Sequence, residues 1–165
     1  MTVDVAFVHG LVSGMRAKGL DLAPVLCAAG IEPGLLAREH ARVTLAQYAA
    51  LQRAMIDHLD DEMVGLLQRR SKRGCFTLQA RAAIAAPTLE LAIQHVAHTA
   101  HLLYDDFSPL PVRDGDLAGL ALQFHAGAGE TDPAANPFVH EVLLRCYWRL
   151  FAWLVGGQLP ALRFD

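Results

Sequence analysis

The sequence predicts an α+β fold: a mostly helical domain with a small antiparallel β-sheet around a central apolar helix. Three observations carry this expectation. Residues 137–156, PFVHEVLLRCYWRLFAWLVG, read as one helix that is apolar almost all the way round, and such a helix is buried on most sides. Several other segments repeat apolar residues at the 3.6-residue period of an amphipathic helix. Within 116–126 the period changes to 2, the alternation of a strand.

Taken in order, 3–18 predicts a helix with Val3, Phe7, Val8, Leu11, Val12 and Met15 on one face, and Gly19 supplies its stop. Asp21 caps a short helix that Gly30 ends, and Pro33 starts another. Thr44 with Gln47 three residues on has the spacing of a capping box. The helix it opens is expected to bury Leu45, Tyr48, Ala49, Gln52, Met55, Ile56 and Leu59. Asp60-Asp61 breaks the pattern, and 62–70 predicts a further short helix. Residues 77–86 read as helical up to Pro87, because the residue before a proline avoids the α region. Thr88 then caps a clean amphipathic helix whose core face is Leu89, Ala92, Ile93, Val96, Ala97, Ala100, Leu103 and Tyr104.

Asp114-Gly115 is a hairpin signal joining 108–113 to the alternating 116–126. Pro109 and Pro111 restrict the first of these strands to an edge. After a loop, Asn136 and Pro137 open the central helix and Gly156-Gly157 stop it. Along that helix Glu141, Arg145 and Arg149 form one narrow charged row. Three charges in a stretch of about 20 residues, near the minimum for crossing, argue against a membrane span. Residues 159–165 alternate and predict a last strand. Ending there would leave an unpaired edge, so the natural protein is expected to continue.

Composition narrows the function. At 165 residues, 53% hydrophobic and 19% charged, the chain is long and apolar enough for one domain with a real core. A net charge of −3 argues against a dedicated nucleic-acid binder. Cys27, Cys75 and Cys146 have neither disulfide nor zinc spacing and read as reduced thiols of a cytosolic protein. The N-terminus carries Asp4 and no basic run, unlike a secretory signal.

Four stretches admit chemistry. His95, His98 and His101 fall in a row that a metal could use, against the plainer reading of a solvated face. Cys75 follows a basic run, a setting for a reactive thiol, but no Cys/His/acid order accompanies it and a packed or bystander cysteine is the plainer reading. The run Arg69, Arg70, Lys72, Arg73 suits an anionic effector, a DNA phosphate or simply solvent. Residues 21–42 are two short helices that mimic a helix-turn-helix yet offer few side chains to read base edges. There is no nucleophile elbow, phosphate-binding glycine loop or HExxH spacing, which disfavours an enzyme.

As a set, these pieces resemble a known family. Gly19-Leu20-Asp21 with Ala29-Gly30-Ile31, Arg73-Gly74-x-Phe76, Pro87-Thr88-Leu89 with Ala92, and His140-Glu141 followed by Trp153-Leu154-Val155-Gly156 occur in order across nearly the whole chain. The sequence resembles the N-terminal effector-sensing domain of AraC-family transcription regulators, in the branch whose sensor is a helical arabinose-binding-like domain and not a cupin barrel. The resemblance implies a bacterial, cytoplasmic regulator. Residues 1–165 would be a single domain that senses a small-molecule effector; a homodimer is expected from the apolar content and the unpaired last strand, with no cofactor and no membrane contact. DNA would be bound only by a C-terminal domain with two helix-turn-helix units, which nothing in these residues matches.

The resemblance carries over no ligand residues, so the expected site rests on chemistry. Effector pockets are largely apolar with a few polar groups. The expectation places the pocket between the central helix and the sheet. Tyr147 and Trp148 form aromatic walls, and His140, Glu141 and Arg145 supply polar groups at one end. Gln123 and His125 face the same space from the strand, Phe76 closes the mouth, and Arg73 meets an anionic ligand. No catalytic or metal-ligating residue is expected. The alternatives are a small-molecule enzyme with a similar pocket and a hairpin at 21–42 that binds DNA directly. A plainer account makes Tyr147 and Trp148 ordinary core and pairs Arg145 with Glu141 on the surface.

Overall fold

The computed structural model describes residues 1–115, 117–125, 133–157 and 159–160. Among them are six helices and two antiparallel two-stranded sheets, which makes the fold α+β and mostly helical. The described residues group into two compact units. The first holds Met1–Arg73 with the short turn Pro133–Ala135; the rest form the second.

The first unit opens with strand β1 (Thr2–Asp4) and helix α1 (Val5–Ala17). The predicted helix at 3–18 therefore starts later, because its first residues pair with β2 (Arg42–Thr44) through Val3↔Val43. Arg42 fastens this pairing, its Nε donating to Thr2 Oγ1 at 2.7 Å and its Nη2 to the Thr2 carbonyl at 3.1 Å. The Asp4 carboxylate accepts the Ala6 N–H and caps α1. Val5, Val8, Leu11, Val12 and Met15 are buried, while Phe7 is left 42% exposed. Asp21 accepts the Ala23 N–H at the start of α2 (Ala23–Ala28), and the predicted helix after Pro33 is a 3-10 turn, Pro33–Ala37.

Helix α3 (Leu45–Leu59) begins at the capping box: Thr44 Oγ1 accepts the Gln47 N–H and Gln47 Oε1 accepts the Thr44 N–H. Its fully buried residues are Leu51 and Met55. Leu45 and Gln52, both expected inside, are exposed, so the inner stripe is rotated from the predicted one.

The helix expected over 62–70 does not form; the segment is a series of turns. The cause is Asp61, which is buried. Its Oδ1 accepts the Met63 and Ser71 N–H groups at 3.0 and 2.9 Å, and its Oδ2 accepts Gly65 N–H at 2.8 Å. A side chain that captures backbone donors competes with helix formation. Val64 (φ +48°) and Gly65 (φ +83°) then turn through the left-handed region, which is strained for a β-branched residue. The turn sets Gly65 directly against Gly14 of α1, where a Cβ on Gly14 would lie 2.6 Å from Leu66 N.

The second unit contains α4 (Cys75–Ile84), α5 (Leu89–Leu103), the hairpin β3 (Phe107–Asp114) and β4 (Leu117–Phe124), and α6 (Pro137–Leu154). Thr88 Oγ1 caps α5 by accepting Leu91 N–H. Helix α5 packs against α4, β3 and α6. Its buried residues Ala92, Val96 and Ala100 lie on the face the sequence predicts. The hairpin runs in register from Phe107↔Phe124 to Asp114↔Leu117, with Gly115 at φ +58° beyond it. Pro109 and Pro111 fall opposite Leu122 and Leu120. Both strands are edges, so the missing proline donors interrupt no central ladder.

Helix α6 buries Val139, Leu143, Tyr147, Leu150, Phe151 and Ala152. This is narrower burial than the all-round apolar sequence predicts. Trp153 is 64% exposed, and Cys146 and Arg149 face out beside it. The strand expected at 159–165 lies largely outside the described residues.

Candidate functional site

The second unit carries its polar chemistry on α4, α5, the hairpin and α6. Gln79, from α4, is buried and fully engaged. Its Nε2 donates to the Tyr104 hydroxyl at 3.0 Å, and its Oε1 accepts the Tyr147 hydroxyl at 2.9 Å. A buried amide so satisfied orders the tyrosines around it. Burial, with Tyr104 and Cys146 nearby, pushes the Tyr147 phenol well above its ordinary range, so it stays a neutral donor. Tyr147 thus joins the core as a positioned aromatic.

At the end of the hairpin, Ser108 is buried and Ser108 Oγ lies 2.9 Å from His125 Nε2 and 3.3 Å from His101 Nδ1. A serine has one proton to give, so at most one of these imidazoles accepts from it and the other must donate to it. The His125 backbone N–H donates to the Asp106 carbonyl at 2.9 Å, which holds the main chain at this position. From the other face of the hairpin Phe124 stacks on His140 of α6, ring centres 4.2 Å apart, and an aromatic series continues through Phe107 to Tyr104. Gln123, directly opposite Ser108 in the ladder, is exposed beside this group.

The predicted residues therefore divide. Gln123 and His125 lie with Ser108 on one side of the hairpin, whereas His140 stacks on Phe124 on the other. Trp148 is half-buried on α6. Arg145 and Glu141 form an exposed pair one turn apart, Nη2 to Oε1 at 2.7 Å. Phe76 lies on α4, 41% exposed. Arg73 belongs to the first unit, where Asp57 (2.8 Å), Asp60 (3.2 Å) and the Ile56 carbonyl (3.0 Å) hold it. The hydrogen bond that Arg73 donates to the Asp57 carboxylate raises its guanidinium above its ordinary range. The histidine row of α5 does not converge: His95 bonds the Ala82 carbonyl, whereas His101 turns to Ser108. Among the described residues no group of three or more His, Cys, Asp or Glu is placed to hold a metal ion.

Sequence reasoning misses Gln79 and Ser108. The one available signal for Gln79 is a polar residue on the inward stripe of a helix. Ser108 carries no signal, because its partners come from α5 and from beyond β4. The Ser108–His125 contact has the reach of a nucleophile–base pair, but no carboxylate hydrogen-bonds either imidazole among the described residues. The Ser108–His125–His101 group can both offer and accept hydrogen bonds.

The first unit has an open groove of about 610 Å³ between α2 and α3. Val25, Ala28, Ala50 and Ala54 line its apolar part, and Arg53, Asp57 and His58 its polar part. None of the nine predicted site residues lines it.

Residues 19–165 match the family model described as the arabinose-binding domain of AraC transcription regulator, N-terminal. No curated protein and no solved structure matches the chain. No helix of the described residues is long and apolar enough to cross a membrane.

Proposed function

The chain belongs to the family of N-terminal arabinose-binding domains of AraC transcription regulators, and from that premise we propose that it binds a small-molecule effector and thereby controls a separate DNA-binding domain. The observation that carries this reading is the family match, which spans 19–165. The protein then works as a homodimer in the bacterial cytoplasm, as a sensor and without catalysis.

We place effector contact on the second unit, around β4. His125 and Ser108 supply hydrogen bonds, Gln123 adds an amide, and His140 with Phe124 supplies a flat aromatic surface. The half-buried Trp148 and the Glu141–Arg145 pair lie on the same helix as His140. A small polar molecule with one apolar face would engage both sets where the two faces of the hairpin meet at its end.

The test is a thermal-shift and calorimetric screen of the 165-residue chain against sugars, polyols and small organic acids. A true effector raises the melting temperature, because anything that binds only the folded state stabilises it. His125→Ala and His140→Ala should each weaken its binding about tenfold, close to 1.4 kcal/mol, measured at a temperature where circular dichroism shows each variant fully folded. An effector whose affinity ignores both substitutions would move the site off β4.

A further inference from the structure

The groove between α2 and α3 has a charge arrangement that the effector site does not use. Its walls are two facing stripes: Val25 and Ala28 from α2, and Ala50 and Ala54 from α3. Small side chains leave a groove of about 610 Å³ that is open to solvent. Arg53, Asp57 and His58 continue the α3 stripe along the groove.

The single acid among these is already neutralised. Asp57 Oδ1 lies 2.8 Å from Arg73 Nη2, and Asp60 is shared by Arg73 and Arg70. Two carboxylates are thus matched by two guanidinium groups. Arg53 is left over: it is exposed, and no hydrogen bond or ion pair engages it among the described residues. His58 is likewise unengaged.

We propose that this groove is a binding site for a small organic anion, a carboxylate carried on a flat apolar body. The guanidinium of Arg53 presents a planar fork of donors that matches a carboxylate with two parallel hydrogen bonds. The apolar body lies over Ala50 and Ala54. His58 flanks the same end as a further donor when its ring is oriented toward the ligand. The pairing of Asp57 with Arg73 removes the repulsion an anion would otherwise meet. This site shares no residue with the effector contact proposed on β4, and it stands or falls separately.

The test uses benzoate and its uncharged counterpart benzamide, added to the 165-residue protein and followed by NMR of alanine methyl groups. Benzoate should shift the Ala28, Ala50 and Ala54 methyls saturably, and benzamide should bind at least tenfold more weakly. Arg53→Gln should weaken benzoate at least tenfold and leave benzamide unchanged. Ala54→Leu, which fills the floor, should weaken both ligands. His125→Ala should leave benzoate binding intact, which separates this site from the effector reading. Equal binding of the two ligands, an Arg53→Gln variant that keeps full benzoate affinity, or the absence of saturable shifts at these methyls would overturn the proposal.

Discussion

Gln79 fixes two tyrosines at once, so small changes around it have large readouts. Tyr147→Phe keeps the ring and removes the hydroxyl that Gln79 Oε1 accepts. A buried acceptor left without its donor costs about 1–3 kcal/mol, measurable as a lower urea midpoint at unchanged slope. The same residue gives a pH signature. Its phenol is raised in the folded state, against about 10 in an unfolded chain. The stability it contributes is therefore complete below about pH 10 and falls as pH rises beyond it. Tyr147→Phe should flatten that alkaline loss in a series of melting temperatures; an unchanged slope would remove Tyr147 as its source. Asp61 is the other pivotal residue. Asp61→Asn retains one carbonyl oxygen for Met63 and Ser71 but turns an amide N–H toward the Gly65 N–H that Oδ2 now accepts. Two facing donors and a lost charge-assisted bond should destabilise the fold by about 2–3 kcal/mol. Faster hydrogen exchange of the Gly65 and Ser71 amides would be its local sign.

At the scale of elements, what could be read in the sequence was whatever is decided locally. Thr44 and Gln47 meet across three residues, Asn136 and Thr88 cap their own helices, and the face of α5 repeats at 3.6. The alternation of 116–126 likewise reveals β4. What stayed hidden depends on partners far along the chain. Strand β1 exists because β2 lies beside it. The helix expected over 62–70 gives way because one buried carboxylate takes its backbone donors. For the candidate site, the alternation of β4 puts Gln123 and His125 on one side in the sequence, but that His140 of α6 meets Phe124 on the other side was not legible there. Nor were Ser108 and Gln79, and the α2–α3 groove is an absence of side-chain volume, which no residue pattern marks. Packing between elements yields its own prediction at Gly14. A Cβ there would sit 2.6 Å from Leu66 N, against rigid backbone. Gly14→Ala should cost about 3 kcal/mol or more, at the upper end for overpacking. A melting temperature equal to the parent's would show that α1 can shift freely.

For the molecule as a whole, charge is the first determinant of partners. The net charge is −3, and Arg70 and Arg73 of the basic run are paired with Asp57 and Asp60, which disfavours the phosphate contacts that DNA binding needs. In a mobility-shift assay the 165-residue protein should retain no duplex DNA at sub-micromolar concentration. Sequence-dependent retention that weakens steeply with salt would restore the 21–42 hairpin as a DNA reader. The meeting of Gly14 with Gly65 also bears on the order in which the chain folds. The Asp61 clasp joins groups no more than ten positions apart, whereas the glycine contact and the Lys18 Nζ bond to the Leu67 carbonyl (2.8 Å) close long loops. Short loops close first. The clasp is then built on the way to the transition state and α1 docks on it afterwards. In stopped-flow experiments Asp61→Asn should slow refolding, and Gly14→Ala should chiefly speed unfolding. The glycine pair would thus act as the latch that sets how long the native first unit lasts.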